Sequence, residues 1–100
     1  MSPGIRIPSR TSRRDLTGSD RQRAGAILRT RWPDAELVVG TAAEDGGGAI
    51  IQFHNPDAQW GGHGTIIIRW DEGTPMFSGH YFDDEFAVDV DFLFRARRGY

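Results

Sequence analysis

Apolar residues recur along this chain with two different periods, and each change of period marks an element. Over residues 19–31, Ala24, Ile27, Leu28 and Arg31 fall at helical spacing, which gives one narrow apolar stripe facing inward. Ser19 followed by Gln22 reads as a capping box at the start of this helix, and Thr17 with Asp20 offers the same pattern two residues earlier. Pro33 ends the helix and pushes Trp32 toward an extended backbone. Beyond it the period shortens to two. Strands are predicted at 36–42, 49–54, 65–70 and 76–82, with Ile51 and Phe53 opposite Gln52 and His54, and with Ile66, Ile68 and Trp70 on one face. The Glu44-Asp45-Gly46-Gly47-Gly48 and Asp71-Glu72-Gly73-Thr74-Pro75 segments supply turns.

Residues 83–97 decide the topology. Phe86, Val88, Val90, Phe92 and Phe94 alternate with Ala87, Asp89, Asp91, Leu93 and Arg95, an unbroken period of two that predicts a fifth strand. A helix capped by Asp83 is the competing reading, but Val, Phe and Asp are poor helix formers. The expectation is therefore an α+β fold, one N-terminal helix packed on a four- to five-stranded antiparallel β-meander, with Ile27 and Leu28 against the sheet. The helix-then-meander order resembles the layout of cystatin-like domains in arrangement alone, because the Gln-Val-Gly and Pro-Trp hairpin sequences of cystatins do not occur. Residues 1–16, with two Pro, four Ser or Thr and four Arg, hold only Ile5, Ile7 and Leu16 to bury and read as a flexible arm, with a short edge strand at Ile5–Ile7 as a variant. Residues 17–100 make one domain.

Charge divides the same way. The formal charge is −2, but residues 1–31 hold eight Arg against Asp15 and Asp20, while residues 32–100 hold four Arg against twelve acids. An acidic body suits a basic protein partner, and a basic arm suits phosphate. All twelve basic residues are Arg, a bias expected of a GC-rich bacterial or phage genome. The absence of Cys removes disulfides and thiolate metal sites. The longest apolar run, Ile66-Ile67-Ile68, is far short of the roughly 18–20 residues of a membrane span. The first twenty residues lack the apolar core of a signal peptide, so a cytoplasmic, non-membrane protein is expected.

Four groups of residues could carry chemistry. The loop 55–64, with three Gly and Trp60, is longer than a hairpin needs and reads as a partner-contacting loop, or as a connection whose Trp folds back on the core. Asp83, Asp84, Glu85, Asp89 and Asp91 place five carboxylates within nine residues, read as an acidic sheet face for a basic partner, as a divalent-cation site or as a solvated edge that blocks aggregation. Arg6, Arg10, Arg13 and Arg14 in the arm could hold nucleic acid through its phosphates. His54, His63 and His80, with Asp57, Asp83 or Asp84, are weak candidates for a metal site, since their spacing matches no compact motif. No nucleophile elbow or other catalytic motif is present, and no cofactor is called for.

The function expected from these features is a small non-enzymatic protein-binding domain, of the inhibitor, immunity or adaptor type. It would present the acidic face and the Gly/Trp loop to a basic partner protein. An accessory component of a nucleoprotein or phage-like assembly, tethered by the arm, is the first alternative. A His/Asp metal-dependent enzyme is the second. A homodimer through an edge strand or the sheet face is compatible with all three.

Overall fold

The computed structural model describes residues 12–100. Seven elements follow one another: β1 (Arg13–Asp15), α1 (Gly18–Arg31), β2 (Glu36–Ala43), β3 (Gly48–His54), β4 (His63–Arg69), β5 (Met76–Phe82) and α2 (Glu85–Arg98). The strands form one antiparallel sheet in the order β1-β2-β3-β4-β5. The α+β fold, with its N-terminal helix against an antiparallel meander, is as expected from the sequence. Its fifth strand is β1, at the other end of the chain from the segment expected to supply it.

Part of the expected arm is therefore ordered. Arg13 pairs with Ala43 and Asp15 with Thr41, and Ser12 accepts a hydrogen bond from the Glu44 amide at 2.8 Å. The Arg13 side chain donates to the hydroxyl and the carbonyl of Thr41, at 2.7 and 2.8 Å, so a guanidinium fork fastens this edge where apolar residues are lacking. Arg6, Arg10 and the Ile5–Ile7 variant lie outside the described residues.

Helix α1 starts at Thr17, the earlier of the two capping boxes. The Thr17 hydroxyl accepts from the Asp20 amide at 3.1 Å, and the Asp20 carboxylate accepts from the Thr17 amide at 2.9 Å. Arg14 also donates to Asp20, and that bond, with the Thr17 amide, holds the Asp20 carboxyl down at about 2. A charged acceptor with its own cation makes a stronger cap than the neutral Ser19–Gln22 pair. The helix ends at Trp32, extended ahead of Pro33 as expected.

Strand alternation sorts β3 between two layers. Ala49, Ile51 and Phe53 join Ala24 and Leu28 of α1, Ala42 of β2 and Ile66 and Ile68 of β4 in the main core. Each of the larger of these contributes about 1.5–3 kcal/mol by leaving water. The alternate residues face α2. Gln52 of β3 donates to Asp89 at 2.7 Å, and Thr65 of β4 donates to Asp91 at 2.6 Å. The helices thus cover opposite faces of the sheet, α2 lying across β3, β4 and β5.

The segment expected as a fifth strand is this second helix. It is capped by Asp84, whose carboxylate accepts from the Ala87 amide at 2.8 Å, and closed by Gly99 in the left-handed region at φ 92°. Its period of two was misleading because the helix is apolar on two sides. Val88 and Phe92 face the sheet, whereas Phe86, Leu93 and Phe94 face solvent. Summed along the chain, two helical stripes imitate one strand face.

A buried arginine seats α2. Arg95 is 1 % exposed, and one terminal nitrogen donates to the Thr65 hydroxyl at 3.1 Å and to the Ser78 carbonyl at 2.6 Å. Ser78 has φ 52° and lies in a bulge, where the register steps from Thr65–His80 to Ile67–Phe77. Burial lowers the Arg95 pKa, and the nearby Asp91 charge opposes that shift. Arg95→Met should cost about 1–3 kcal/mol, because it leaves the Ser78 carbonyl and Asp91 without their donor and cation. Thermal melts monitored by circular dichroism would measure this, and an unchanged midpoint would show that the arginine does not anchor the helix.

Candidate functional site

The 55–62 loop leaves β3 and returns into β4, and its geometry is set by backbone bonds at its base. The Asn55 amide donates to the Gly62 carbonyl at 2.7 Å, and the Asn55 carbonyl accepts from the Ala58 amide at 3.2 Å. The Asn55 side chain accepts from the Asp57 amide at 3.2 Å, a local turn that Asn favours. Gly61 lies at φ 63°, a conformation in which a side chain would be strained, and its amide donates to Asp83 at 2.5 Å. This bond ties the loop to the residue that follows β5.

Four aromatic rings gather beside this loop. Trp32, placed by the break before Pro33, stacks on Phe53 with centroids 4.8 Å apart and planes at 19°. Tyr81 meets both rings edge-on, at 6.1 Å from Trp32 and 6.4 Å from Phe53. Glycine makes room for them. A Cβ at Gly64 would come within 2.6 Å of the Phe53 ring, and one at Gly79 would collide with the Tyr81 ring. Trp32, Phe53 and Tyr81, with Trp60, Asn55 and Gly61, line a cavity of about 360 Å³. Trp60 is 75 % exposed, so it stands at the cavity without folding back on the core.

Two exposed acids are neighbours in the chain of cavity residues without lining the cavity themselves. Asp57 lies next to the lining residue Ala58, and Asp34 lies two residues beyond Trp32. Their carboxyls are close enough for the hydrogen bond and charge of Asp34 to raise the Asp57 pKa from its ordinary value.

The residues singled out from the sequence fall into separate places. Asp83 holds Gly61, and Asp84 caps α2. Asp89 and Asp91 reach the sheet from either side of the helix. They therefore do not form the acidic sheet face expected of a strand. Glu85 is exposed in the first turn of α2. Arg13 is fixed to Thr41 and Arg14 to Asp20. His54 and His63 stack at 4.6 Å across β3 and β4, while His80 contacts Asp91 at 3.0 Å. Among the described residues, no group of three or more His, Asp or Glu is placed to hold a metal ion.

A second cavity, of about 370 Å³, lies beside the β2–β3 hairpin, with Ile50 and Ile67 among its lining and Arg13, Arg69 and Arg98 around it. Burial lowers the Arg13 pKa there, against the charge of Asp45. Among the described residues, no helix is long and apolar enough to cross a membrane. Comparison of the chain with known protein families, curated proteins and solved structures finds no match.

Sequence reasoning reached Trp60 and the loop but passed over Trp32, Phe53, Tyr81 and Asp34 as site residues. The usable signal was the pairing of rings with glycines, Phe53 with Gly64 and Tyr81 with Gly79, which frees sheet surface for stacking. Asp83→Ala should accelerate hydrogen exchange of the Gly61 amide about 10- to 100-fold, the equivalent of losing a hydrogen bond to a charged group. Exchange followed by NMR would test this, and an unchanged rate would mean that Asp83 does not pin the loop.

Proposed function

We propose that this chain is a small, non-catalytic protein-binding domain of the inhibitor, immunity or adaptor type, acting in a bacterial or phage-infected cytoplasm. Its partner is a basic protein, and the contact is made by a cationic side chain entering the aromatic cavity of the 55–62 loop. The observation that carries this reading is the grouping of exposed Trp60 with Trp32, Phe53 and Tyr81 around a cavity of about 360 Å³. Ring faces attract ammonium and guanidinium groups by about 0.5–2 kcal/mol. Asp34 and Asp57 add negative charge, as does the acidic balance of residues 32–100. Asp83, Asp84, Asp89 and Asp91 are engaged within the chain, so the loop rather than an acidic stripe does the docking.

The test uses a peptide with a single arginine or trimethyllysine in an otherwise neutral sequence, titrated against the full chain by calorimetry. Binding is expected for both, with a loss of about 5- to 30-fold in the Trp60→Ala variant. The affinity should also fall as pH drops through the raised pKa of Asp57, because protonating that carboxyl removes negative charge near the loop. Equal binding of a peptide with norleucine at the same position would defeat the cationic reading.

A second reading rests on the other cavity, where Arg13, Arg69 and Arg98 meet. Three arginines against one acid, Asp45, in the lining of this cavity suit phosphate, which favours an accessory role in a nucleoprotein assembly. Fluorescence anisotropy of a labelled oligonucleotide should then show binding that weakens steeply with salt and is reduced by Arg69→Ala. No binding at low salt would eliminate it.

A further inference from the structure

His54 ends β3 and His63 opens β4, and the two are register partners across this antiparallel pair. One step further out, the Asn55 amide donates to the Gly62 carbonyl. The alternation of the ladder therefore leaves His54 opposite His63 at a position without hydrogen bonds between them, where side chains stand closest. Their imidazoles lie face to face, with centroids 4.6 Å apart and planes at 15°. Both residues are half-buried, and neither ring makes a hydrogen bond or ion pair among the described residues. His80 is placed differently. It pairs with Thr65, two residues along β4 from His63, and its Nδ1 lies 3.0 Å from Asp91.

We infer that His54 and His63 form a two-point site for a divalent transition-metal ion such as zinc or nickel. Imidazole is a preferred ligand of these ions, and each neutral ring offers one lone pair. As two cations the rings would set like charges directly opposite, an arrangement that weakens a strand pair. As two neutral ligands they can share one ion. Nitrogens bonded to a metal at about 2.0–2.1 Å stand roughly 3.3 Å apart at a tetrahedral angle. From a centroid spacing of 4.6 Å the donor edges must close by about 1 Å, and His χ2 is a soft torsion that permits such a tilt. The row that holds the pair runs Glu36, His54, His63, Phe82 across four strands, so it carries a carboxylate and no cation. No third His, Asp or Glu among the described residues is grouped with the two rings for ligation. Water fills the remaining positions, which makes the site open and weaker than one closed by four residues. The ion joins the two stems of the 55–62 loop at its base. Phe53 packs on the other face of the sheet, so the ion does not enter the aromatic cavity.

The experiment is calorimetric titration of the full chain, free of any histidine tag, with zinc chloride, nickel chloride and magnesium chloride in separate runs. One zinc or nickel ion per chain is expected. Magnesium should give no binding heat, since a hard cation prefers oxygen ligands. His54→Ala and His63→Ala should each weaken zinc binding at least tenfold. If an alanine variant loses the far-ultraviolet spectrum of the wild type, His54→Phe and His63→Phe keep a ring in the stack and remove only the donor. NMR of the imidazole nitrogens should show zinc shifting the His54 and His63 rings and leaving His80 unchanged. No binding at millimolar zinc would overturn the inference. So would affinity that survives both substitutions, or zinc shifts centred on His80.

Discussion

A guanidinium buried between helix and sheet governs how the second half of this molecule is arranged. Arginine keeps its charge, and an unpaired buried charge is among the costliest features a fold can contain. Arg95 can therefore sit at 1 % exposure only where oxygen atoms receive it. The Ser78 carbonyl and the Thr65 hydroxyl do so, and Asp91 supplies compensating charge beside them. Thr65 in turn donates to Asp91, which also contacts His80. The bulge in β5, the register of β4 on β5 and the position of α2 are all coupled through this one network.

The two faces of the sheet are consequently unlike. The α1 side is an ordinary core of Ile, Leu, Phe and Ala. The α2 side contains Gln52, Thr65 and Arg95 among its buried residues, with Asp89 and Asp91 bonded to the first two. A polar seat of this kind demands specific partners at specific positions, which suits it to fixing where the helix lies. It leaves fewer inward positions for apolar side chains, and the helix carries Phe86, Leu93 and Phe94 on the side that faces water. Five carboxylates that looked like one charged surface are divided among a loop tie, a helix cap, two sheet contacts and one exposed position.

The cavity arises from a different constraint, the competition for space on the α1 side near the end of β3. Rings at Phe53 and Tyr81 lie over the glycines at 64 and 79, positions where any side chain would collide with them. Trp32 reaches the same spot because α1 must stop before Pro33. Phe53 and Tyr81 are held by strand backbone, so these two walls of the cavity are preorganised, while Trp60 stands on the loop beside them.

Local chemistry was enough to read most of the elements. The helix of residues 18–31, the strand of 76–82, the Asp-Gly hairpin turn and the break at Pro33 follow from spacing, turn residues and the fixed φ of proline. Trp60 stood out because its loop is longer than a hairpin needs and sets an aromatic residue beside three glycines. The second helix was not legible, since alternation in 83–97 records two apolar helix faces superimposed, and only the sheet beneath shows that they are two. The same holds for Arg13–Asp15, which has no apolar pattern and becomes a strand because the edge of β2 and the Thr41 oxygens accept it. Tertiary structure decided these cases because the groups that satisfy Arg95, Asp89, Asp91 and Arg13 lie 11 to 37 residues away, beyond the reach of any local pattern.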